Sequence, residues 1–378
     1  MTERAGIDRR EYGRWEATDI LMANTVPSKL ETQTICASSM NPSMPDSPRP
    51  DAAGVRVPDD RREEAVERLV AEGPPAPNQA RRFLAFAADQ QVDLRGIWAS
   101  EDPATGQYRA ATLIVPNPGR AAMVFATRVR ESTEIPEVAG LIDHAARAIE
   151  SEGPPLGDLQ LLQVLTDPGE DLERRVFRAA GFVELATLRY LERSIPGLRG
   201  VPKPTWPGDV SLRTYSPEDR DTLIEILDAS YQDTLDCPGL LGMRNTHDIL
   251  AGHISTGRFD PAFWTMLFVN ERPAGCILVN RATRAHGAEL VYLGLARFAR
   301  GRTLGTALLQ HAMQQLHAVG VRTLSLAVDE DNAPALHIYG SLGFRPILRR
   351  LALVRTVRSS TGLRSCPPNA DSVSRAGE

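Results

Sequence analysis

"AELVYLGLARFARGRTLGTALLQHAM", Ala288 to Met313, decides how this chain folds. Its alternating apolar residues predict a strand over Ala288–Ala296. A loop of arginine and glycine follows, and then apolar residues at three- and four-residue steps predict a helix. Strand, Arg-Gly loop and helix, in that order, can build an anion site. The loop N–H groups and the positive end of the helix dipole converge on one point. By itself the order is a weak signal, because arginine and glycine between a strand and a helix also make ordinary turns.

The flanks narrow the choice. Upstream, "RFDPAFWTMLFVNERPAGCILVN" reads as a strand, a turn at Asn270-Glu271-Arg272 and a second strand over Ala274–Asn280. Downstream, "GVRTLSLAVDEDNAPALHIYGSLGF", Gly320 to Phe344, reads as a strand, a turn opening on Asp, a short helix and a closing Gly-Phe. The same plan occurs earlier, in "GDLQLLQVLTDPGEDLERRVFRAAGF", Gly157 to Phe182. A constant offset of 162 superposes the two Gly-Phe closures and pairs Asp167 with Asp329, Glu170 with Asn332 and Phe177 with Tyr339. "VELATLRYLERS" and "RPILRRLALVRT" then read as final strands. A repeat at this distance is a duplicated domain rather than a solenoid.

The duplication sets the expected organisation: an unstructured segment over 1–57, a first repeat over 58–195, a Pro/Gly linker over 196–208, a second repeat over 209–357 and an unstructured tail over 358–378. Within 378 residues there is room for two cores. A net charge of -5 gives no reason to expect nucleic acid or an anionic membrane as partner. Four scattered cysteines form no metal or disulfide pattern, no apolar run reaches membrane length, and "MTERAGIDRREYGRWE" lacks the core of a signal peptide. The expectation is a soluble, cytoplasmic protein.

Taken together, Ala288–Met313 and Gly320–Phe344 resemble the acetyl-CoA-binding core of the GCN5-related N-acetyltransferase (GNAT) superfamily. That family's loop reads Gln/Arg-x-x-Gly-x-Gly/Ala. Arg300 and Gly305 match it, while Thr303 stands at the central glycine. The run "DEDNAPALHIYGSLGF" matches the family's Asn-to-Tyr helix and its Leu-Gly-Phe end. The resemblance implies an α/β fold of two tandem GNAT-like domains, each a mixed, mostly antiparallel sheet flanked by helices.

It also implies roles for particular residues, with acetyl-CoA as cosubstrate. Backbone N–H groups of Arg300, Gly301, Arg302, Thr303, Leu304, Gly305 and Thr306 would hold the pyrophosphate. The strand at Leu293, Gly294 and Leu295 would pair with the pantetheine arm, and the strands at Ala288–Ala296 and Thr323–Val328 would splay to admit the thioester. Asn332 would contact the pantetheine or the helix start. Tyr339 would protonate the departing thiolate, since a phenol near pKa 10 can serve a thiol near 8.5 as general acid. Glu289 would be the base for the amine. Alternation places it on one face with Val291 and Leu293, in apolar company that favours a base.

The first repeat has no such loop, and Phe177 and Glu170 replace the tyrosine and asparagine. It reads as a degenerate partner, for which tandem members of the family with one inactive half are a precedent. The acceptor, a small-molecule or peptide amine, would be chosen by the first helices of the second repeat. There Tyr231, Asp233 and Asp236 would form an aromatic and acidic cluster, or else lie on solvated surface. His247, His253, His311 and His317 have no metal-ligand spacing, so no metal is expected. A CoA-binding or structural pseudoenzyme, acting as sensor or interaction module, is the alternative reading.

Overall fold

A computed structural model describes residues 54–71, 77–195, 202–240, 242–282 and 286–357. The first half runs β1 (Val55–Arg56), α1 (Arg62–Val70), α2 (Pro77–Asp89), β2 (Ile97–Glu101), β3 (Tyr108–Asn117), β4 (Ala121–Ala126), α3 (Ile135–Ala148), β5 (Leu161–Thr166), α4 (Asp171–Ala179) and β6 (Val183–Ser194). The second repeats the order: β7 (Val210–Thr214), α5 (Arg220–Tyr231), α6 (Thr246–Ser255), β8 (Trp264–Val269), β9 (Arg272–Arg281), β10 (Gly287–Leu295), α7 (Leu304–Ala318), β11 (Thr323–Asp329), α8 (Ala333–Ser341) and β12 (Arg345–Thr356). The segment expected to be unstructured through 57 is shorter, because Val55 and Arg56 pair with β2. The rest of that expectation, and the tail, lie outside the described residues. So does the linker over 196–201.

Local chemistry accounts for the punctuation. Asn270 and Glu271 both take positive φ, giving the two-residue turn that matches strand twist in the β8–β9 hairpin. Both short helices end alike. Gly343 is left-handed and the Phe344 N–H reaches back to the Tyr339 carbonyl at 3.0 Å; Gly181 and the Phe182–Phe177 bond at 2.9 Å repeat this. These are Schellman caps, which explains why the repeats close on Gly-Phe.

All strands join one sheet in the order β1-β2-β3-β4-β5-β12-β6-β11-β10-β9-β8-β7. The centre of that order holds an exchange. β6, from the first half, lies antiparallel between β11 and β12, and β12, from the second, lies between β5 and β6. Each half therefore closes its sheet on the other's last strand. The boundary near 196–208 separates two repeats of sequence but not two independent sheets.

Helices α3 and α4 cover one face of the sheet in the first half, and α7 and α8 cover a face in the second. On α7, Leu308, Leu309, Met313 and Leu316, all fully buried, pack with Leu191 of the exchanged β6 and Ile195 just after it. Full burial of a side chain of this size contributes about 1.5–3 kcal/mol. A central cluster on Leu188, Tyr190, Ala327 and Ala352 is capped by Cys237 and Leu240, which follow α5. The second half's helix connection thus rests on strands from both halves.

Candidate active site

The site begins where two neighbouring strands part. β10 and β11 run parallel and pair only through Gly287–Thr323, Ala288–Leu324 and Glu289–Ser325. Beyond Glu289 the strands continue without pairing, which leaves the expected V-shaped gap. On its other edge β10 stays paired with β9 to Leu295, so Leu293, Gly294 and Leu295 are held straight beside the gap. A bulge between Leu290 and Tyr292 alters the expected facing. Val291 and Tyr292 both pack towards α5, while Leu293 packs with the α7 side. Glu289 keeps the face of Val291 but not that of Leu293, because the extra residue resets the alternation.

Gly294 is required by Tyr292. A Cβ there would fall 2.2 Å from the Tyr292 hydroxyl, which is bonded to Ser230 Oγ at 2.5 Å. Burial raises the Tyr292 phenol well above its ordinary value, and His253 stacks on the ring at 5.6 Å. This aromatic stack ties β10 to α5 and α6.

At the end of β10 the loop turns through left-handed Gly301 and Thr303 into α7. Among the described residues, the N–H groups of Gly301, Arg302 and Thr303 meet no acceptor, and those of Leu304 to Thr306 follow in the first turn of the helix. Six donors therefore surround the positive end of a 15-residue helix. The Arg300 N–H is not one of them, since it bonds to the Arg297 carbonyl at 3.2 Å.

Neither arginine side chain points to the same place. Arg300 donates to the carbonyls of Leu295, Ser230, Gln232 and Asp233 at 2.7–3.2 Å, joining the loop to the end of α5. Arg302 forms a fork with Asp209 at 2.7 and 2.8 Å and holds that carboxyl below its usual range. The cradle is thus a backbone device. Thr303 precedes α7 without capping it through its side chain. In the left-handed conformation its hydroxyl turns to the Arg302 carbonyl at 2.6 Å.

Across the gap, Asn332 caps α8 by accepting the Ala335 N–H at 3.2 Å. Tyr339 is 6% exposed and packs on Phe344 at 5.6 Å. Desolvation first, and then the nearby Asp236, push its phenol up, so it is protonated at neutral pH. The expected cluster of Tyr231, Asp233 and Asp236 does not form. Tyr231 is buried edge-on to Tyr292, exposed Asp233 pairs with Arg297 at 3.0 Å, and Asp236 is buried against the end of β11. The left-handed turn at Asp233, after α5, sends the three side chains to different neighbours.

The first half keeps the gap and loses the rest. β4 and β5 also pair for three residues only, Ala121–Leu161 to Met123–Gln163. Met123 therefore stands where Glu289 stands, and Phe177, edge-on to Phe182 at 5.5 Å, replaces Tyr339. Before α3, the Glu134 carboxylate accepts the N–H groups of Arg130 and Glu131 at 2.6 and 3.2 Å. The chain's own anion occupies the loop. Among the described residues no group of three His, Cys, Asp or Glu side chains could hold a metal ion, and no helix is long and apolar enough to cross a membrane.

A model of the acetyltransferase (GNAT) family matches residues 223–344, from α5 through the parted strands to the closing Gly-Phe. Residues 223–344 thus carry a GNAT-family domain. It is similar to the mycothiol acetyltransferase of Streptomyces coelicolor, 29% identical over 219 residues that cover 55% of this chain and 68% of the relative. The mycothiol acetyltransferase of Pseudarthrobacter chlorophenolicus is 28% identical over 271 residues, covering 68% of this chain and 79% of the relative. Among solved structures, a GCN5-related N-acetyltransferase from Sphaerobacter thermophilus shares the fold at 18% identity. It matches with a TM-score of 0.54 over 82% of this chain and 97% of the other. The protein is an N-acetyltransferase with a tandem GNAT-type fold, and the GNAT family uses acetyl-CoA as cosubstrate.

The structure places the loop, Leu293–Leu295, Asn332, Tyr339 and Glu289, all expected from the sequence, around the parted strands. The sequence did not identify Asp236 as a neighbour of Tyr339, which only the fold brings together.

Proposed function

We propose that acetyl transfer takes place in the second half, completed by β6 of the first, and passes directly from acetyl-CoA to the amine of a small polar acceptor. The observation that carries this reading is the three-pair ladder between β10 and β11, with Glu289 at its last step and Tyr339 packed under the gap. The N–H groups of residues 301–306 fit the pyrophosphate, and the free edge of Leu293–Leu295 fits the pantetheine amides. Acetyl-CoA supplies an activated thioester.

Glu289 accepts a proton from the amine as nitrogen attacks the acetyl carbonyl. The C–N bond forms, the C–S bond breaks, and Tyr339 gives its proton to sulfur; both groups reset by exchange with solvent. The burial that holds the phenol protonated also raises the basicity of a thiolate leaving beside it. The first half, with Glu134 in its loop and Met123 and Phe177 in place of base and acid, has no catalytic part of its own. The relatives named mycothiol acetyltransferases support a small-molecule amine as the class of acceptor to try first.

The test is acetyl-CoA turnover on an amine panel of glucosamine, L-cysteine methyl ester and spermidine. Wild type should acetylate at least one, and Tyr339→Phe should lower kcat by about 10²-fold or more. Neither turnover nor CoA binding by calorimetry would defeat the reading.

A further inference from the structure

The strand exchange brings one more group to this site. Register across the sheet runs Glu289–Ser325–Glu192, and one step further Ala327 lies opposite Tyr190. Glu289, Ser325, Ala327 and Tyr190 therefore share one face, with a single strand between the glutamate and the tyrosine. Ala327 lies beyond the last paired step of β10 and β11, so Tyr190 stands alongside the gap. The Tyr190 ring is 8% exposed and packs among Leu188, Cys237, Leu240 and Ala327.

Its hydroxyl is buried and has no hydrogen-bond partner among the described residues. Burial pushes its phenol well up, and the Glu289 charge adds to that, which places the two groups within electrostatic reach. An unsatisfied buried hydroxyl is costly, and phenylalanine would fill the same space without that cost.

The duplication supplies an internal control. At the equivalent places around the first half's gap stand Met123, Gln163, Val354 and Ala352. The second half thus receives Tyr190 and Glu192 from its neighbour's last strand and returns Ala352 and Val354. At these two positions the polar groups stand on the side of the half that has the glutamate and the cradle.

We propose that Tyr190, carried by the first half, is an acceptor-binding residue of the second half's site, its phenol oxygen accepting an N–H of the amine beside Glu289. This rests on the reading that the second half is catalytic. The inactive half then contributes to substrate recognition as well as to the sheet.

The experiment compares wild type, Tyr190→Phe and Tyr339→Phe with saturating acetyl-CoA and whichever amine of the panel is acetylated fastest. CoA affinity is measured in parallel by calorimetry. Tyr190→Phe should raise KM for the amine about tenfold, as for loss of one buried hydrogen bond, with kcat and CoA affinity changed by less than about threefold. If KM stays within about twofold while Tyr339→Phe still lowers kcat by about 10²-fold or more, this proposal fails and the catalytic assignment stands. A fall in CoA affinity in step with the rise in KM overturns it too, because the hydroxyl then acts on the fold. Full turnover by Tyr339→Phe, or none by wild type, overturns the catalytic assignment and this inference with it.

Discussion

Asp236 and Asp329 pin two stretches of backbone together. The Asp236 carboxylate accepts the Asp329 N–H at 3.0 Å, and the Asp329 carboxylate accepts the Cys237 N–H at the same distance. The second Asp329 oxygen accepts the Asp331 N–H at 3.0 Å. This clamp fastens the connection after α5 to the end of β11, just before the helix that carries Tyr339. An amide at 329 can accept only one of the two bonds and leaves a donor stranded. Asp329→Asn should therefore cost about 1–3 kcal/mol in urea unfolding. A variant as stable as wild type would show the clamp to be incidental.

Thr303 is a β-branched residue at φ +58, a conformation that costs an L-residue roughly 1–2 kcal/mol. Thr303→Gly should raise stability by about 0.5–1 kcal/mol, the relief being partly offset by the glycine's greater chain entropy. CoA affinity should change by less than about threefold, because the backbone donors remain. Loss of CoA binding in calorimetry would show that the hydroxyl itself is a ligand.

Gly294 has no room for a side chain. Gly294→Ala forces its methyl against the Tyr292 hydroxyl, so the Tyr292–Ser230 bond or the strand must move. The expected cost is about 1–3 kcal/mol, with weaker CoA binding because the same residue borders the gap. Unchanged stability and affinity would contradict that packing.

Glu173, half-buried on α4 beside Arg128 and Arg350, has its carboxyl pushed up by desolvation to about 7. Between its ordinary value and pH 7 the folded state binds more protons than the unfolded one. Stability should therefore fall as pH rises through that window and stay reduced above it. Glu173→Gln should remove this slope and gain about 1–3 kcal/mol at pH 8. Parallel pH profiles of Tm for variant and wild type would refute the assignment.

Residues 202–357 expressed alone should fail to fold cooperatively. Without β6, the apolar faces of Leu324, Leu326 and Val328 lose Leu191 and Ile195, and β11 becomes a bare edge. Mixing this fragment with residues 54–195 should restore a compact complex by size exclusion and circular dichroism. A stable lone fragment would mean that the second half can close its sheet by itself.

Much of this architecture could be read in the chain. The 162-residue offset that aligns the two Gly-Phe closures also aligns the strand registers, since Leu161 and Thr323 begin their ladders at equivalent steps. The cradle, Asn332 and Tyr339 were legible because each depends on local sequence: a turn, a cap, a helix position. The strand exchange was not, because a strand's own alternation specifies its faces but not its neighbours. The bulge at Val291 left no mark in an apolar run, and so the facing of Leu293 was misread. One signal for Tyr190 did exist. Aligning the final strands sets Tyr190 against Ala352 and Glu192 against Val354, a difference in polarity that asks for a cause.

The exchange of last strands also acts as a ratchet on the protein's history. A duplicated domain can discard one copy only while the other can stand alone. Once β6 and β12 traded places, neither copy could be lost without unravelling its twin. The first half was left free to vary its loop and the positions of Met123 and Phe177, because none of them holds the sheet together. Its final strand had no such freedom, and that strand is where the second half's sheet meets its neighbour.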